Sequence, residues 1–68
     1  MNNSELASIL FAIADGQNFN SSALYEAKHH PETTGNDIYM LRRYMFDCTV
    51  ENDKGALMDL SDRIRESE

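Results

Sequence analysis

Residues 36–48 read Asn36-Asp37-Ile38-Tyr39-Met40-Leu41-Arg42-Arg43-Tyr44-Met45-Phe46-Asp47-Cys48, and their pattern decides the fold. Ile38, Leu41, Met45 and Cys48 recur at i, i+3, i+7 and i+10, the period of one helix face. Met40 and Tyr44 widen that face. The far side of such a helix should be polar, yet Tyr39 and Phe46, seven residues apart, place a second apolar stripe there. Arg42 and Arg43 flank the stripe. Strand-like alternation is absent from the segment. Ahead of it, Thr34 followed three residues later by Asp37 has the spacing of a capping box.

Working outward, Pro31 to Gly35 is a loop, and Pro31 ends a shorter helix over residues 21–29, because the residue before a proline avoids helical angles. Asn20 is placed as that helix's N-cap, with Phe19 and Leu24 at the spacing of a hydrophobic staple. Ala23, Leu24 and Ala27 give it a thin apolar face, with Tyr25 to one side. Further back, residues 3–15 form a first helix. Asn2 and Glu5 open it as a capping box, and Gly16 is placed to close it in the left-handed conformation. Leu6, Ile9, Leu10, Ile13 and Ala14 make its broad buried face, which Ala7 and Phe11 extend. Beyond the central segment, residues 49–55 break the pattern. A fourth helix over 53–65 carries Ala56, Leu57, Leu60 and Ile64 on one face. Asp59 and Arg63 are an i,i+4 pair on it. Asp53 at its start and Arg63 and Arg65 at its end suit the helix dipole.

The expected fold is therefore a single all-α domain over residues 1–68, three or four short helices packed as a small bundle, with frayed ends at 1–2 and 66–68. The first, third and fourth helices should supply the core: Leu6, Ile9, Leu10, Ile13, Ile38, Leu41, Met45, Leu57, Leu60 and Ile64. A chain of 68 residues buries only about 60% of its unfolded surface. Small domains compensate with disulfides, metals or oligomers. Cys48 is the only cysteine, so no disulfide can form within the chain, and a dimer is the expected remedy.

Charge excludes some functions. The net charge is −6, and each half of the chain holds −3, so there is neither an acidic tail nor a basic arm. That balance disfavours nucleic acid and anionic membranes. The apolar run near the N-terminus lacks a basic leader and follows Glu5, so it reads as neither signal peptide nor membrane span. A cytoplasmic location is expected.

Sites with chemistry are scarce. His29 and His30 are adjacent and Cys48 is distant, which is not the spacing of a zinc site. The two histidines read as solvent-facing. The phase of Cys48 points it into the core, where a thiol acts as a small hydrophobe. The carboxylate pairs Glu51 with Asp53 and Asp59 with Asp62 read as a solvated acidic face. Residues 52–55 lack the 1-3-5 ligand pattern of a calcium loop. No catalytic, cofactor or metal residue is expected, nor a small-molecule substrate. Aromatics set among arginines are the residue types enriched at interface centres. The expected contact surface centres on Tyr39, Phe46, Arg42 and Arg43, with Phe11 and Met40 at its margin. Its partner would be a second copy or a different protein. Two alternatives use the same chain differently: a helix-turn-helix regulator reading DNA with residues 37–47, and an acidic DNA mimic occupying a basic groove.

The runs NNSELASILFAIADGQNFN and HHPETTGNDIYMLRRYM resemble small proteins of the early, exo–xis region of lambdoid bacteriophages. The resemblance implies a small helical, dimeric accessory protein made early in infection, in the host bacterial cytoplasm, that biases the host cell or the choice between lysis and lysogeny. It implies no functional residues.

Overall fold

The computed structural model describes residues 1–16, 19–46 and 53–67. Four helices follow in order: α1 (Asn3–Ala14), α2 (Ser21–Lys28), α3 (Gly35–Phe46) and α4 (Lys54–Glu66). Among the described residues there is no strand.

The starts of the first three helices are written in their caps. Asn2 Oδ1 accepts the Glu5 N–H at 2.8 Å, and Asn20 Oδ1 accepts the Ala23 N–H at 3.0 Å. Thr34 and Asp37 form the reciprocal box. The Thr34 N–H donates to Asp37 Oδ2 at 2.9 Å, and the Asp37 N–H donates to Thr34 Oγ1 at 3.3 Å. Each bond satisfies an N–H that the helix itself leaves unpaired. Gly16 ends α1 at φ +78°, and its N–H donates to the Ile13 carbonyl at 3.0 Å. A side chain at that φ would be strained.

The helices form a ring in which α1 meets α4 and α2, and α3 meets α2 and α4. The α1–α4 contact is the most extensive. These two helices run antiparallel. Asn3 Nδ2 donates to Ser67 Oγ at 3.0 Å at one end, and Lys54 pairs with Asp15 at 3.8 Å at the other. Two bridges make α3 antiparallel to α4 as well: Arg63 with Asp37 at 2.9 Å, and Arg43 with Asp53 at 2.6 Å. Both respect the dipoles, with acids at helix starts and arginines in last turns.

The core differs from the expected one in three ways, each with a physical reason. First, α2 is a full member: Ala23, Leu24 and Ala27 are completely buried. Its small apolar face suffices because two alanines let neighbouring helices approach closely.

Second, α3 is rotated. Asp37, Met40, Leu41 and Tyr44 face inward, while Ile38 and Met45 are only half-buried. The Thr34 box and the Arg63 pair hold Asp37 against the bundle, and that turns Met40 and Tyr44 in with it. Ile9 on α1 is likewise half-buried, packed at the edge of the core.

Third, Ser61 and not Ala56 completes the inner face of α4. The Ser61 hydroxyl donates to the Met58 carbonyl at 2.8 Å, so its burial leaves no polar group unpaired.

The ends of the described chain carry local hydrogen bonds. Asn2 is a cap, α4 continues through Glu66, and the Ser67 hydroxyl donates to the Ile64 carbonyl at 2.8 Å.

Arg63 departs from its expected partner too. Its guanidinium engages both carboxylate oxygens of Asp37 and the Glu32 carbonyl, leaving Asp59 to act on it only through space. The expected continuation of α3 through Cys48, the burial of Cys48 and the position of Glu51 lie outside the described residues.

The surface of 4209 Å² lies close to the roughly 4400 Å² expected of a folded 7.8 kDa monomer. The radius of gyration, 10.3 Å, likewise sits near the roughly 11 Å of a compact chain of this length. Among the described residues the buried hydrophobics form a single core cluster within one copy.

Candidate interaction surface

The outer face of α3 carries Tyr39, Arg42, Arg43 and Phe46, all exposed. At 100° per residue the four fall within about 100° of one another, a continuous face. Tyr39 is 64% exposed and Phe46 90% exposed, the highest value among the exposed large hydrophobics. A phenylalanine left open to this degree forfeits most of the 1.5–3 kcal/mol (roughly) that burial would yield.

The two arginines are not equivalent. Arg43 makes a two-pronged contact with Asp53, Nε to Oδ2 at 2.6 Å and Nη2 to Oδ1 at 2.9 Å. The hydrogen bond from Arg43 holds the Asp53 carboxyl below the usual range, and burial opposes this only weakly. Arg42 has no ion-pair partner among the described residues. Among the described residues the face therefore presents Arg42 without an ion-pair partner, beside the two aromatic rings.

The two marginal residues do not join it. Met40 is buried at 2% exposure, so it belongs to the core and not to the contact surface. Phe11 is exposed, but it projects from α1, which lies across the ring from α3.

Of the two histidines expected to face solvent, His30 differs from expectation and His29 does not. His29 is exposed, with its ring edge-on to Tyr25 at 4.7 Å. His30 is half-buried in a chain of hydrogen bonds. Its Nδ1 accepts the Glu32 N–H at 3.1 Å, which leaves Nε2 to donate to Asn3 Oδ1 at 3.1 Å. Asn3 passes the chain on to Ser67. His30 thus links the loop after α2 to both termini of the bundle. Its role could not be read from sequence, because all of its partners are distant or main-chain.

Asp37 is the one buried carboxylate among the described residues. Burial raises its pKa, but the bonds from Arg63 and from the Thr34 backbone and hydroxyl outweigh this and hold the carboxyl below the usual aspartate value. All its oxygens are engaged in structure. Burial pushes the Tyr44 phenol up, with the Asp53 charge adding to it. Among the described residues no group of three or more His, Cys, Asp or Glu is placed to hold a metal ion. No helix among them is long and apolar enough to cross a membrane.

Shallow hollows line α1 and α2. One of about 420 Å³ is bounded by Ile9, Ala12 and Phe19, and an adjoining one of about 350 Å³ by Ser4, Glu5 and Ile9. A third, of about 430 Å³, lies between Met1, Tyr25 and Met45. Phe19, expected as a staple on Leu24, is half-exposed and forms a wall of the first hollow.

Compared with protein-family models, with characterised proteins and with solved structures, the chain gives no match.

Proposed function

We propose that this protein is a small regulatory module that works by occupying a protein surface, with the outer face of α3 as its contact and a second copy of itself as the first partner. The observation that carries this reading is the Tyr39–Arg42–Phe46 face: two open aromatic rings flanked by an arginine that has no ion-pair partner among the described residues. Because the buried hydrophobics among the described residues form a single cluster within one copy, the open rings serve association and not folding. Packing two α3 helices antiparallel about a two-fold axis sets Tyr39 of one copy opposite Phe46 of the other. A standard interface takes about 800 Å² from each partner, near a fifth of this chain's 4209 Å². Surface beside α3 must therefore contribute.

The likeness of residues 2–20 and 29–45 to early proteins of lambdoid phages supports the same reading, an accessory protein that acts through contact. The test is mass in solution by light scattering over a tenfold concentration range, for the parent chain and for the double variant Tyr39→Ala, Phe46→Ala. Dimer in the parent and monomer in the variant support the proposal. A parent that stays monomeric throughout refutes the second copy as partner.

A further inference from the structure

The histidine that follows α2 holds its neighbours through both ring nitrogens, each in a different role. His30 is half-buried. Its Nδ1 accepts the Glu32 N–H at 3.1 Å and so carries no proton, while Nε2 donates to Asn3 Oδ1 at 3.1 Å. Only a neutral imidazole offers one acceptor and one donor, because a protonated ring has two donors. The Glu32 N–H lies in the loop of residues 29–34 that joins α2 to α3. That loop is fastened at two further points. The Glu32 carbonyl accepts from Arg63 Nη1 of α4 at 3.2 Å, and Thr34 forms its box with Asp37 at the start of α3. Neither ring nitrogen meets a carboxylate, since both partners are neutral groups. The charged groups on the elements around the ring are engaged elsewhere or exposed. On α4 these are Arg63, bound to the loop and to Asp37, and the exposed Glu66. Glu5 of α1 accepts from Asn2, and Glu32 is exposed on the loop itself. On the α2 side, Glu26 is exposed, Lys28 is half-buried, and His29 lies edge-on to Tyr25.

We infer that His30 is a proton-operated latch on the loop between α2 and α3, closed while its imidazole is neutral and opened in mildly acidic solution. A free imidazole changes its charge between about pH 5 and 8. A proton on Nδ1 sets N–H against N–H, so Glu32 loses its acceptor and the loop is pushed off the ring. Nε2 remains a donor to Asn3, and the ring keeps its place on α1 while the loop lets go. The loop's movement draws the Glu32 carbonyl away from Arg63 Nη1, whereas Nη2 keeps its hold on Asp37. Opening is local. The pairs that tie α3 to α4 rest on Asp37 and Asp53, whose carboxyls titrate below the ordinary aspartate value, so the bundle stays folded where the latch opens. The latch does not depend on the contact proposed for α3.

Nitrogen spectra of the labelled protein, recorded between about pH 8 and 5, test it. At the upper end the His30 ring should carry its proton on Nε2 and none on Nδ1. As the ring gains its second proton, the Glu32 amide should shift with the same midpoint. Its exchange with solvent, corrected for the intrinsic effect of pH, should quicken at least about tenfold, with helical circular dichroism unchanged. His30→Asn sets a carbonyl oxygen within reach of the Glu32 N–H and cannot titrate, so its Glu32 amide should stay protected throughout. His30→Ala removes the acceptor and should show the open behaviour at every pH. His29→Gln removes the other imidazole and should leave the transition as it is in the parent. The inference is overturned if Nδ1 carries the proton in the neutral ring, or if the Glu32 amide is indifferent to the His30 titration. A Glu32 transition that persists in both His30 variants, or vanishes in His29→Gln, overturns it too.

Discussion

Gly16 and Asp37 show how single residues set this fold. Gly16 stands at φ +78°, and a Cβ added there would meet nothing within 4 Å, so Gly16→Ala tests backbone strain. Its expected cost is about 1 kcal/mol, read as a lower denaturation midpoint at unchanged slope. Asp37 ties α3 to α4 through Arg63 and caps its own helix through Thr34. Because Arg63 is 38% exposed, the pair is discounted for solvent screening. Asp37→Asn should then cost about 1–2 kcal/mol near neutral pH. The folded carboxyl titrates below its unfolded value, so its stabilisation is complete above the ordinary aspartate range near pH 4 (about 3.9) and is lost as pH falls through the lower folded value. Asp53, held down by Arg43, acts in the same direction. Acid denaturation should therefore set in below about pH 4. The gap between parent and Asp37→Asn should narrow there, and urea melts at a series of pH values will show whether it does.

At the scale of elements, caps were legible because they are local. Asn2, Asn20 and the Thr34–Asp37 box each lie within three residues of the N–H they satisfy. Facing was less legible, because it depends on what lies opposite. The pattern of α3 permitted either Ile38 and Met45 or Met40 and Tyr44 as its inner flank, and a long-range pair, Asp37 with Arg63, selects the second. A polar residue such as Ser61 gives no sequence signal of burial, although its hydroxyl is satisfied within its own helix. α2 looked too thin to matter, yet Leu24 is fully buried between its neighbours. Leu24→Ala should cost about 2–5 kcal/mol, comparable with Leu60→Ala in α4. Chemical denaturation of both variants tests whether α2 belongs to the cooperative core; a loss under about 1 kcal/mol at Leu24 would place it outside.

For the whole molecule, the helical spacing of apolar residues and the capping signals correctly indicated an all-helical fold. Counting apolar residues, however, could not tell a core that needs a partner from one that closes alone. Ile38, Met45 and Met40 traded places between core and margin, while Tyr39 and Phe46 stayed outside as expected. The candidate surface was therefore half-legible: the stripe itself could be read from its spacing, but not the capture of Arg43 by Asp53. With Arg43 engaged and acids in excess, no retardation of DNA is expected in a low-salt gel shift. The claim on which the account turns is that the open rings of α3 join two copies that are each already folded. Light scattering across a tenfold concentration range, with circular dichroism at the lowest concentration, tests it most directly. The account predicts a dimer that dissociates on dilution into a monomer of unchanged helicity, and a Tyr39→Ala, Phe46→Ala variant that is folded and monomeric throughout. A parent that is monomeric at every concentration, or a variant that dimerises as the parent does, would contradict it.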